Sequence, residues 1–241
     1  MAERENLFRP IHKGIRSMLY DIGRQLQSTN FADVNESNAF ATRLKHDLGN
    51  AVSNCMLCLL SAHARHEEED IFSQVRPHDP RAVEAVMKEH HEVSRRIREV
   101  SHTCDEVMAL TERDQRIEGG ERLNREVDSL VAFYLAHLNN EEDLLLPALW
   151  KWFTDPQIRA MRIMFYASVP LSLFETWMRW TLPSLNREEL VAIFLDLKKG
   201  PDTVRMDDWV RLAHETLDAR QWAAIRDRAG LVLPSLAQRP G

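Results

Sequence analysis

The sequence predicts an all-α protein, an up-down four-helix bundle followed by a C-terminal helical extension. Three observations carry this expectation. Long stretches rich in Leu, Ala, Glu, Arg and Met place apolar residues three and four apart, the spacing of one helix face. No segment sustains two-residue alternation over β-branched residues, as a half-buried strand would. Breakers are sparse, with 8 Gly and 10 Pro in 241 residues, which argues against a collagen-like or long disordered chain.

Each element follows from its punctuation. The first helix is expected over 7–27, with Pro10 near its first turn, and a polar loop over 28–35. The second should span 37–75 with a bend near Gly49, and the Arg76-Pro77-His78-Asp79-Pro80 stretch ends it. Asp79 is a good N-cap and Pro80 a good first residue for the third helix, which should reach about Thr111. The fourth should begin between Gln115 and Glu121, near Gly119-Gly120, and end between Pro147 and Phe153. Thr154-Asp155-Pro156 repeats the cap-plus-proline signal, so the bundle is assigned to 1–153 and the extension to 154–241. Short helices are expected there near 156–167, 169–182, 187–199, 205–216 and 219–228. Asn186 with Glu189, and Asp218 with Gln221, are placed as capping boxes. All six Trp lie from the end of the fourth helix onward, and packing of the extension is the simplest use for them.

Composition narrows the function. With 31 basic and 37 acidic side chains the net charge is −6, which gives no electrostatic case for nucleic acid. No apolar run approaches the roughly 18 residues of a membrane span, and the start MAERENLFRP lacks an apolar signal-peptide core. Three cysteines do not favour a disulfide framework, so a cytoplasmic home is expected. Cys55-Met-Leu-Cys58 falls inside a helical run, which favours buried packing over redox use.

The 10 His carry the argument. His63-Ala-Arg-His66-Glu67-Glu68 and His137-Leu-Asn-Asn-Glu141-Glu142 both read His-x-x-x-Glu-Glu, and Phe72 and Leu146 hold equivalent apolar positions after them. A His and a Glu four apart share a helix face and can offer a nitrogen and a carboxylate to one metal centre. Each segment follows a lone His at nearly the same remove, His12 before His63 and His90 before His137. Ile15 and Leu19, then Val93 and Ile97, share the lone residue's face, so each His should point inward. The chain is thus an approximate duplication of a helix pair, and two such hairpins make a bundle with ligands projecting into its core. The candidate metal ligands are His12, His63, Glu67, His90, His137 and Glu141. Four imidazoles and two carboxylates suit two iron ions, each with two His and with the carboxylates bridging, leaving a position open. Zinc is the alternative, though its structural sites prefer four ligands and no open position. His66 with Asp70 is also an i, i+4 pair, but alignment of the repeat favours His63 and Glu67. Of the adjacent His90 and His91, the apolar pattern selects His90.

This pattern resembles the hemerythrin-like HHE cation-binding proteins over about residues 7–153. The set lacks the fifth His of the oxygen-carrying hemerythrins and is more similar to the four-His, two-Glu set of iron-centre repair proteins and of the animal F-box iron sensor. More weakly, the stretch from Tyr166 to about Ile225 resembles the segment that follows such bundles in plant iron-regulatory ubiquitin ligases, without the cysteines of a RING module. The resemblance implies a non-haem di-iron centre that meets a small oxidant (dioxygen, peroxide or nitric oxide) for sensing, binding or detoxification. Two alternatives stand beside it. One is a di-iron enzyme, a peroxidase, oxidase or repair protein, for which Tyr20 is a candidate proton donor. The other is a regulatory sensor whose extension contacts a protein partner or a second copy of the chain.

Overall fold

A computed structural model describes residues 4–45, 55–199 and 205–234, and these contain helices and no strand. The elements are α1 (Arg9–Ser28), α2 (Val34–Lys45), α3 (Met56–His66), a π-helical turn (Glu67–Phe72), α4 (Ser73–Val75), α5 (Pro80–Ala109), α6 (Arg113–Trp152), α7 (Asp155–Ser168), α8 (Leu171–Ser184), α9 (Arg187–Lys199), α10 (Met206–Thr216) and α11 (Ala219–Ala229). They divide into two compact units. The first holds residues 1–9 and 18–173, the second residues 10–17 and 174–241. The cap-plus-proline signal places the boundary at 153/154, whereas the compact units divide within the first turn of α8, so that α7 belongs to the first.

In the first unit α5 packs along α6, and α2 packs on α5. The Asp79 carboxylate accepts the Ala82 N–H at 3.1 Å and Pro80 opens α5, the expected start. α6 is 40 residues long, about 60 Å at 1.5 Å per residue. It begins before Gly119-Gly120 rather than after, because those glycines serve packing and not a turn. A Cβ at Gly120 would fall 2.1 Å from the Phe31 ring. Phe31 in turn meets Phe40 of α2 edge-on at 6.2 Å. Where one helix over 37–75 was expected, the described residues form α2, then α3 starting at Met56, then the π-helical turn. The bend at Gly49, and His46, lie outside the described residues. Arg4 donates to Asp155 at 3.0 Å and to the Phe153 carbonyl at 2.9 Å, tying the N-terminal segment to the junction of α6 and α7.

In the second unit Trp209 packs against Phe174 at 5.4 Å and Phe194 at 6.3 Å, and both flanking aromatics are fully buried. The expected capping boxes at Asn186/Glu189 and Asp218/Gln221 are present. α11 ends on Gly230 at φ +58°, the left-handed conformation that closes a helix and favours glycine. Lys13 Nζ pairs with Glu189 at 2.6 Å within this unit. Trp150 and Trp152, by contrast, belong to the first unit. Trp150 donates to the Glu5 carbonyl at 2.8 Å, and Trp152 stacks on His78 at 5.2 Å.

Candidate metal centre

α1 is one unbroken helix over Arg9–Ser28. Pro10 sits in the first turn, the Asn6 side chain accepts the N–H of Phe8 and Arg9, and Ile11, Ile15, Met18, Leu19, Ile22 and Leu26 form the buried stripe. His12 lies on that stripe. His63 comes from α3, Glu67 from the first position of the π-helical turn, His90 from α5, and His137 and Glu141 from successive turns of α6. All six side chains are buried, none more than 1% exposed. His91, next to His90, faces solvent.

The donor atoms gather in two groups. One ligand atom each from His12, His63, Glu67 and Glu141 lie within 4.8 Å of one another, and so do those of His90, His137 and Glu141. Glu141 is common to both. Glu67 also reaches both ways, with Oε1 3.2 Å from His63 Nε2 and Oε2 3.7 Å from His90 Nε2. Glu141 Oε1 lies 3.1 Å from His90 Nε2 and 3.4 Å from His137 Nε2. Two carboxylates between two pairs of imidazoles is a donor set that suits a pair of borderline divalent ions.

The electrostatics suit a bound cation. Burial pushes the Glu67 carboxyl well above the ordinary carboxylate range, and the neighbouring Glu141 pushes it the same way. Burial opposes a charged His90, yet the Glu141 and Glu68 carboxylates outweigh it and raise the imidazole. Buried polar groups of this number need compensation. A metal ion supplies it, and His137 Nε2, buried without a hydrogen bond, is a donor placed for one. The residues therefore fit the group.

Two carboxylates outside the six complete the site, and no motif in the sequence singles them out. Glu68 Oε1 lies 2.7 Å from His90 Nδ1, and Glu89 Oε2 lies 2.9 Å from His137 Nδ1. Each holds the far side of its ring and so turns Nε2 inward. Asn140 donates to Glu89 Oε1 at 2.8 Å and steadies it. The helical pattern makes the acidic run 67–70 a solvated face once Glu67 turns in. The π-helical turn alters this, because its wider winding brings Glu68 as well as Glu67 to the inner side. Phe72, at the end of that turn, stacks on His90 at 5.1 Å. His66 is also buried but stands apart from both donor groups. It lies 3.7 Å from Asp70 and meets Phe165 edge-on. Tyr20 is 61% exposed, unsuited to the proton-donor role suggested for it. The buried tyrosine is Tyr134, perpendicular to His137 at 5.4 Å, with its hydroxyl donating to the Leu60 carbonyl at 3.3 Å. Burial, then the Glu67 and Glu141 charges, push its phenol up, so it stays protonated.

Residues 5–160 match the family model described as the hemerythrin HHE cation-binding domain. The chain belongs to the hemerythrin HHE cation-binding family. Comparison with curated proteins and with solved structures returns no match. Membership accounts for the bundle and for cation binding by it. The HHE match ends within α7, close to the end of the first compact unit. Among the described residues no helix is long and apolar enough to cross a membrane.

Proposed function

We propose that the protein holds a non-haem di-iron centre and meets a small oxidant at it (dioxygen, peroxide or nitric oxide), for sensing, binding or detoxification. The observation that carries this reading is the pairing of donors, His12 with His63 and His90 with His137, with Glu67 and Glu141 reaching both pairs. His12, His63, Glu67 and Glu141 would hold one ion, and His90, His137 and the two carboxylates the other. Iron bound there supplies reversible one-electron chemistry and an open coordination position for a diatomic or peroxide ligand. The chain's own groups do the rest. Glu68 and Glu89 fix the ring orientation of His90 and His137. Phe72, buried and stacked on His90, shields that ring from water. Tyr134 keeps its proton beside His137.

Three cysteines in 241 residues suit a reducing compartment, and a cytoplasmic location is proposed on that ground. Elemental analysis of the chain after anaerobic iron loading should approach two irons. Saturation at one would overturn the di-iron reading. A change in the optical spectrum between argon and air, or on adding nitric oxide, should follow; identical spectra under all three would remove the oxidant from the proposal.

A further inference from the structure

The N-terminus of α3 carries a reactive pair that the metal centre does not use. Cys55 is the N-cap, and its Sγ accepts the Cys58 N–H at 3.1 Å. Its thiol donates to the Leu44 carbonyl at 3.1 Å. The Cys58 thiol is within hydrogen-bond reach of Cys55. The Cys-x-x-Cys therefore lies not inside a helix but across a helix start. An open cavity of about 480 Å³ faces the pair, lined by both cysteines together with Lys45, Ser61, Arg65 and Ser101.

We infer that Cys55 and Cys58 form a redox-active dithiol, closing to an intramolecular disulfide by exchange with a small anionic disulfide bound in this cavity. Cys55 is fully buried and Cys58 half-buried, so Cys58 is the attacking sulfur. The hydrogen bond with Cys58, and burial, also push the Cys55 thiol up. The Cys58 thiolate attacks one sulfur of the small disulfide and expels the other as a thiolate. The Cys55 sulfur then loses its proton, attacks Cys58 and expels the second thiolate. One S–S bond forms in the chain and one is lost in the co-reactant. The chain is oxidised by two electrons, and its two thiol protons end on the two released thiols. Lys45 is paired with Asp105, whereas Arg65 stands exposed at the cavity and supplies the charge that an anionic co-reactant would meet. Cys104 is buried in α5 and pushed up to about 12 by that burial, so it serves as an internal control.

The test uses the full, metal-loaded chain. It is incubated with glutathione disulfide, quenched by alkylation and mapped by mass spectrometry. Cys55 should be joined to Cys58, with Cys104 alkylated. Cys55→Ser keeps an N-cap oxygen and should stop at a mixed disulfide on Cys58. Cys58→Ser should react at least about tenfold more slowly than wild type. Arg65→Glu should slow the reaction with glutathione disulfide but not with the cationic cystamine. A wild-type chain that halts at the mixed disulfide, or that leaves both cysteines alkylated, overturns the dithiol. Wild-type rates in Cys58→Ser overturn the assignment of the attacking sulfur, and equal slowing with both reagents overturns the anionic co-reactant.

Discussion

At the scale of single residues, the centre distinguishes histidines that look alike in sequence. His63 and His66 sit three apart, both buried and both followed by an acid four residues on, yet only His63 shares space with the other donors. His63→Ala should therefore strip bound metal, while His66→Ala should leave metal content nearly intact. The reverse result in elemental analysis would put the register three residues out. The carboxylates behind the rings make a second expectation. Glu89→Gln keeps the size of the side chain but weakens the hold on His137 Nδ1, and metal affinity should fall about 10–100-fold while the fold persists. A chelator competition that finds unchanged affinity would show that Glu89 does not orient the ring. That these six buried side chains gather in the core was legible in the sequence, because a duplicated spacing singles them out. Glu68 and Glu89 were not, since each acts on a ring carried by a different helix and no spacing along the chain records that meeting.

At the scale of helices, glycine positions show how much packing overrides local preference. Gly119-Gly120 leaves the helix start open between Gln115 and Glu121 in the sequence and is interior to α6, because the Phe31 ring occupies the space where a Gly120 side chain would go. Gly120→Ala should cost about 1–3 kcal/mol, the usual toll of overpacking. At Gly23, in the interior of α1, an added methyl group would meet nothing within 4 Å, so Gly23→Ala should stabilise by about 0.5–1 kcal/mol through helix preference alone. Urea unfolding of the two variants should move the midpoint in opposite directions; the same direction for both would refute the packing argument. Helix ends marked by caps were legible, as at Asp79, Asn186 and Asp218. The start of α3 was not, because cysteine is an uncommon N-cap and the residues around it keep a helical pattern.

At the scale of the whole molecule, the centre ties stability to metal and to pH. In the metal-free chain the folded state keeps a proton on Glu67 that the unfolded chain releases near 4.5. The raised group's contribution is thus complete below about 4.5 and is lost as pH rises through its folded value. Glu67→Gln is neutral throughout. Its stability advantage over the wild type, both metal-free, should widen as pH is raised from about 4.5 towards neutrality. Urea midpoints that stay a constant distance apart would contradict the coupling. Metal binds only the folded arrangement, so it stabilises by mass action and should abolish this trend in the wild type. The all-α class and the metal-binding bundle were legible from periodicity and the doubled motif. The division into compact units was not, because cap signals mark where helices begin and carry no information about which helices pack together.

The π-helical turn has a consequence for how such chains are read. Counting in steps of an ideal helix from His63 gives the right facing residues as far as Glu67. Beyond it the wider winding takes over: at a constant 3.6-residue period Phe72 would stand about half a turn from His63, yet Glu67, Glu68 and Phe72 all come to His90. The two halves of the duplication are thus alike as text and unlike as objects.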